Sequence, residues 1–212
     1  MADEVQSFGL LNHYSAIHMV PCLFFLLFSL FGWQIPADNR LSEEARQVQA
    51  AYKRFKKEPA SLQVQQRFVV AFPASQAAFI RVFHPADFGQ LYASSDKYIQ
   101  TLQQVGSNYP KEVLHKCLII SKDLVWDADA TGFLQHATAR MGAAHPRIFM
   151  QEARQLSLVE QTKLFRFLAD VENHNQYPEY QLLMKQLSEI GATDLTQMMR
   201  QAKEQRVKQK GH

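Results

Sequence analysis

From Leu41 onward, apolar residues recur every three or four positions, and Pro, Gly or a capping residue cuts the pattern at short intervals. That spacing lines one face of a helix, whereas in a strand it would scatter over both faces. Leu41, Ala45, Val48, Tyr52 and Phe55 make the first such face. Lys56-Lys57-Glu58-Pro59 ends it, because proline disfavours helical geometry in the residue before it. Ser61 to Phe72 is a second helix, closed by Pro73, and Ser75 to Phe83 a short third, ended by His84-Pro85. A loop around Phe88-Gly89-Gln90-Leu91-Tyr92 leads to a helix over about Ser95 to Val105, with Tyr98, Ile99, Leu102 and Val105 inward.

Gly106-Ser107-Asn108-Tyr109 breaks the chain again, and Pro110 suits the first turn of the next helix. There Val113, Cys117, Ile120 and Leu124 share a face flanked by Leu114, Leu118 and Val125, which predicts broad burial. Asp127 or Asp129 caps a helix carrying Ala130, Phe133, Leu134, Ala137 and Met141. Pro146 starts another, through Ile148, Phe149 and Ala153. Ser157-Leu158-Val159-Glu160 has the capping-box pattern, ahead of Leu164, Phe165, Phe167 and Leu168. Tyr177-Pro178 opens a helix that ends at Gly191, and Thr193 caps the last, with Leu195, Met199 and Ala202 on one face.

Composition agrees. Leu, Ala and Gln fill 68 of 212 positions against 27 for Val, Ile and Thr, which argues against a sandwich or barrel. The expected fold is all-α: a single irregular or solenoid-like bundle of about nine or ten short helices over residues 38–212. Each is too short to persist alone in water, so mutual packing must hold them.

Residues 1–37 read differently. They hold no Lys or Arg, and their only charges are Asp3 and Glu4. Val20 to Phe31 is a dense apolar run, broken by Gly32 and followed by Ile35-Pro36-Ala37. The run suits a secretory signal better than a membrane span, which needs about 20 apolar residues. Ile35 and Ala37 would occupy the −3 and −1 positions of the cleavage site. Against this, the positively charged leader of a signal is missing, and Arg40 and Arg46 follow the run. A membrane anchor with a cytoplasmic body, and a buried core helix, therefore stay open as alternatives. The favoured expectation is export to the periplasm, with inner-membrane anchoring as the rival location and membrane contact only through an uncleaved N-terminus.

Removing residues 1–37 keeps all 23 cations and takes two of the 20 acids, leaving +5. Arg200, Lys203, Arg206, Lys208 and Lys210, against Glu204, place most of that excess in a basic tail over 200–212. Cations confined to one helix end suit its negative dipole and give no nucleic-acid footprint. Cys22 would leave with a signal, so Cys117, set in an apolar stripe, would have no disulfide partner.

The known catalytic fingerprints are absent: no G-x-S-x-G, H-E-x-x-H, C-x-x-C, G-x-x-x-x-G-K or G-x-G-x-x-G occurs. No catalytic residue, metal site or cofactor is assigned on this basis. His84, His115, His136, His145 and His174 form no i, i+4 pair of the kind a helical metal site uses. The most distinctive stretch is Asp123-Leu124-Val125-Trp126-Asp127-Ala128-Asp129-Ala130. Three carboxylates so close could bind a hard cation or act as acid and base. They equally suit capping beside an aromatic anchor, or contact with a partner. Tyr92, Tyr109, Tyr177 and Tyr180 fall in or beside loops, where an aromatic with a polar tip suits an interface.

Several segments resemble a family of small α-helical proteins of bacterial envelopes that has no established activity. They are Phe72-Pro73 with Phe79 and Phe83; Leu91-Tyr92 with Ser94, Tyr98 and Ile99; Trp126-Asp127-Ala128-Asp129-Ala130; and Leu156-Ser157 with Phe165 and Phe167. The likeness covers about residues 68–170, with Trp-Asp-Ala-Asp its distinctive core. Some small exported helical proteins are immunity proteins that neutralise a secreted toxin, and the analogy implies such a role here. The expectation is thus a non-enzymatic, protein-binding domain with Tyr92, Trp126, Asp127 and Asp129 at its binding surface, and neither nucleic acid nor a cofactor as partner. An envelope enzyme using Asp123, Asp127 and Asp129, and a membrane-anchored adaptor, are the alternatives.

Overall fold

A computed structural model describes residues 41–83, 91–125, 129–171 and 177–210. Serines open four of its helices by accepting a hydrogen bond from an otherwise orphaned backbone N–H. Ser42 Oγ accepts from Ala45 N (3.1 Å) ahead of α1 (Glu43–Lys57), and Ser61 Oγ from Val64 N ahead of α2 (Leu62–Ala71). Ser75 does the same for α3 (Gln76–Phe83). A short 3-10 turn at Tyr92–Ser94 leads into α4 (Ser95–Val105). Proline occupies the first turn of α5 (Pro110–Ser121), α7 (Pro146–Ala153) and α9 (Pro178–Glu189), where its missing N–H costs nothing. Between α5 and α7 lies α6 (Ala130–Ala144). The capping box expected at Ser157 is complete and opens α8 (Leu158–Ala169). Gly191, at φ 78°, turns the chain into α10 (Thr193–Lys210). These ten helices make an all-α bundle, with no strand among the described residues.

Helices α5 and α6 form its centre. α5 packs on α3, α4, α6, α7 and α8, and α6 on α4, α5, α7, α8 and α9. α5 buries Val113, Leu114, Cys117, Leu118 and Ile120 almost completely, as its broad apolar stripe requires. α6 achieves close approach differently, with small residues: Ala137, Ala139, Gly142 and Ala143 let neighbouring helices come near. An aromatic chain joins the first four helices, running Phe55–Phe68–Phe72–Phe79–Phe83–Tyr98–Tyr52 with ring centroids 4.6–6.4 Å apart. At the other end α10 packs on α8 and α9, and Tyr180 Oη donates to Met199 O (2.7 Å).

Four residues depart from their expected places, and two of them, Tyr177 and Tyr180, are interior and not interfacial, their rings buried and their hydroxyls donating to Gln135 O and Met199 O. Val125 is 81% exposed, because α5 stops at Ser121 and helical periodicity no longer sets its direction. Phe133 is 43% exposed, one position off the Leu134–Ala137–Met141 stripe that α6 buries. No described helix is long and apolar enough to cross a membrane. The Val20–Phe31 run lies outside the described residues.

Candidate partner-binding site

The early end of α5 leaves Lys122 and Asp123 in a turn, with Leu124 and Val125 following it. Lys122 Nζ donates to Asp123 Oδ2 (2.8 Å) and pairs with Glu160 Oε1 (2.9 Å), and Lys163 reaches Asp123 Oδ1 (3.4 Å). These contacts tie the segment to the first turns of α8. The Lys122 hydrogen bond, joined by the backbone and hydroxyl of Ser157, holds the Glu160 carboxyl down to about 2. Lys122 in turn lowers Asp123, and Asp123 with Glu160 raises Lys122, so all three stay charged at neutral pH. Beside them runs a surface groove of about 280 Å³ whose lining includes Leu124, Val125, Lys163, Arg166 and Phe167.

The apolar edge of this end is conspicuous. Leu158 and Val159, on the first turn of α8, are 69% and 67% exposed, and Val125 more so. Sequence reasoning missed Leu158 and Val159. The capping box contained the signal, since the residues between its serine and glutamate sit on an open first turn with few inward neighbours.

Tyr92 and Asp129, two of the four residues expected at the binding surface, come together. Tyr92 Oη donates to Asp129 Oδ2, joining the 3-10 turn to the start of α6 across 37 positions of sequence. Asp129 holds the N-cap position of α6 but makes no side-chain capping bond, its carboxylate being turned to Tyr92. It lies four positions beyond Val125, so the two Cα atoms are at most about 14 Å apart. Trp126 and Asp127 lie outside the described residues. With α5 ending at Ser121, Asp123 sits beyond the helix, and the two described acids of the Asp-rich stretch bind different partners: lysines for Asp123, a phenol for Asp129.

Elsewhere the titratable groups act as ties between helices. His115 Nδ1 lies 2.9 Å from Glu152 Oε2, linking α5 to the buried carboxylate of α7. Arg140 of α6 grips Glu179 of α9, with His136 Nδ1 at 3.5 Å from the same carboxylate and edge-on to the Tyr177 ring. Burial raises the Glu179 carboxyl, and the Arg140 hydrogen bond, a backbone hydrogen bond and the charges of His136 and Arg140 together more than offset it, leaving the group below its ordinary range. His145 stands at the junction of α6 and α7, while His84 and His174 lie outside the described residues. Cys117 is fully buried, and burial pushes its thiol up to about 12, far from the reactive thiolate range. Among the described residues no three His, Cys, Asp or Glu side chains converge to hold a metal ion.

No protein-family model matches the chain, and no curated protein or solved structure is significantly similar to it.

Proposed function

We propose that the protein is a non-catalytic, protein-binding domain of the periplasm, and that its partner docks where α5, α6 and α8 meet. One observation carries the proposal: Val125 is exposed in the lining of the groove, Leu158 and Val159 are exposed on the first turn of α8, and the two segments are tied together by the ion pairs of Lys122 and Asp123 with Glu160 and Lys163. Apolar side chains grouped on a surface mark an interface, whereas scattered ones do not. A rim held by its own ion pairs offers specificity without ordering new side chains on binding. Tyr92 and Asp129 extend the surface with a polar, aromatic element. A secreted toxin is the partner that the analogy of fold and compartment with immunity proteins offers, which makes neutralisation by stoichiometric binding the corresponding role.

A photo-crosslinking residue at Val159, in the full chain produced in a bacterial envelope, tests this. A single discrete adduct is expected, lost when Val125 and Leu158 are both changed to Glu. No adduct, or one unaffected by those changes, overturns the proposal. Fractionation of the same cells, with the mass of the purified chain, tests the compartment: a chain starting near Asp38 in the periplasm is expected.

A further inference from the structure

We propose that the cleft between α1 and α2 is a second docking surface, shaped for an acidic amphipathic helix. The two helices pack through Val48, Phe55, Val64 and Phe68, whose burial closes the bottom of the hairpin. Above that seam a groove of about 420 Å³ stays open, floored by Ala50, Ala51, Ala71 and Val70 and edged by Arg54 and Arg67. Val70 is 73% exposed, and Leu62, two turns earlier on the same face of α2, is 57% exposed. An apolar floor between two fixed helices is what a third helix uses to seat an i, i+4 ridge.

Charge decides the partner. Between Ala45 and Phe83 the only acid is Glu58. Arg46 is taken by Glu43 and Arg81 by Glu44, both outside the groove. Lys53, Arg54, Lys56, Lys57 and Arg67 are exposed and pair with no carboxylate among the described residues. Of these five cations Arg54 and Arg67 line the groove itself, where no carboxylate stands among the lining residues, and the three lysines add to the positive field of the hairpin. At physiological salt, where screening sets in over about 8 Å, such a rim acts at contact range. It complements a helix with aliphatic side chains on one face and Asp or Glu flanking them. A second copy of this chain would bring the same cations to the same place. No aromatic side chain lines the groove for nucleotide bases to stack on.

The test is a selection of displayed 18-residue helical peptides against the full chain, followed by affinity measurements on the enriched sequences. Aliphatics at i, i+4 and i+7 flanked by acids are expected, with binding at least tenfold weaker to Val70→Glu and to Arg54→Glu/Arg67→Glu. All three positions are exposed, so these variants should keep the wild-type helical circular dichroism. Val159→Glu, at the other surface, should leave peptide affinity unchanged; a loss there would assign the binding to the α8 end and overturn the proposal. It is equally overturned by no enrichment, by enriched peptides without acids, or by affinity indifferent to the groove variants. Binding that depends on the groove residues but is seen only with phosphatidylglycerol vesicles, an oligonucleotide or a second copy also overturns it.

Discussion

Gly142 leaves no room for a methyl group. A Cβ there would lie 2.6 Å from Phe149 Cδ2 and 3.0 Å from Leu183 Cδ1, and both neighbours are wholly buried. Alanine would gain up to about 1 kcal/mol of helix propensity, but overpacking a filled core costs about 1–3 kcal/mol. Gly142→Ala should therefore lose about 1–2 kcal/mol in urea unfolding. Gly106 makes the contrast: its Cβ would meet the flexible end of Met141, which can swing aside, so Gly106→Ala should stay within about 1 kcal/mol of wild type. Cys117 allows a second test at this scale. Its thiol, raised to about 12 by burial, should resist iodoacetamide at pH 8 in the folded chain and react fully in denaturant. The sign of the linkage follows. Below pH 9 folded and unfolded chains both keep the proton, and above it only the unfolded thiol loses it, so stability falls as pH rises from 9 toward about 12. Cys117→Ala should flatten that alkaline loss, whatever its effect on packing at neutral pH.

Helix α8 depends on a two-residue device at its start. Ser157 Oγ accepts from Glu160 N (3.3 Å), and Glu160 Oε2 accepts from Ser157 N (2.9 Å). Ser157→Ala should cost about 1 kcal/mol in thermal or urea unfolding. Glu160, lowered to about 2, stabilises the fold fully above its ordinary value of 4.5, and this is lost as pH falls from there toward 2. Glu160→Gln should shrink the acid limb of melts recorded between pH 5 and 2, with Asp123, Glu179 and Asp194 keeping part of it; an unchanged acid limb would show that the Glu160 carboxylate contributes nothing. This box was legible in the sequence because its chemistry is local, as were the starts at Ser61, Pro110, Pro146 and Pro178 and the turn at Gly191. Where α5 ends was not, since nothing near Ser121 breaks a helix and the apolar pattern runs on to Val125. Gln135 was equally silent. It is wholly buried in α6 and donates to Phe167 O (2.6 Å) and Asp170 O (3.0 Å), closing the end of α8 from more than thirty residues away. Glu152 and Glu179 are of the same kind: a buried polar group has its partner on another helix, and periodicity carries no information about that partner. At the binding surface the Asp-rich stretch drew notice, yet the bond between Tyr92 and Asp129 and the exposure of Leu158 and Val159 depend on which helix ends meet.

For the molecule as a whole, the central pair α5 and α6 makes folding and recognition separable. The α1–α4 side packs on α5 and α6 through α3 and α4, which the aromatic chain ties to α1 and α2, and the α8–α10 side packs on them through α8, whose Phe165 ring also lies 6.4 Å from Phe149 of α7. Removing an anchor from either side uncovers the same central helices. Phe72→Ala and Phe165→Ala should each lose about 3–5 kcal/mol, in one transition seen together by far-ultraviolet dichroism and tyrosine signals. Two separated transitions would mean that the sides fold independently. The proposed docking end behaves in the opposite way, because Val125, Leu158 and Val159 are displayed from that centre without belonging to it. Changing Val125 or Val159 to Asp removes almost no buried contact, so stability should move by no more than about 0.5 kcal/mol. The same changes place a charge in the middle of an apolar contact and should abolish the crosslink. A surface variant that unfolded the bundle would show these side chains to be part of the core, and the separation of framework from recognition would fail with it.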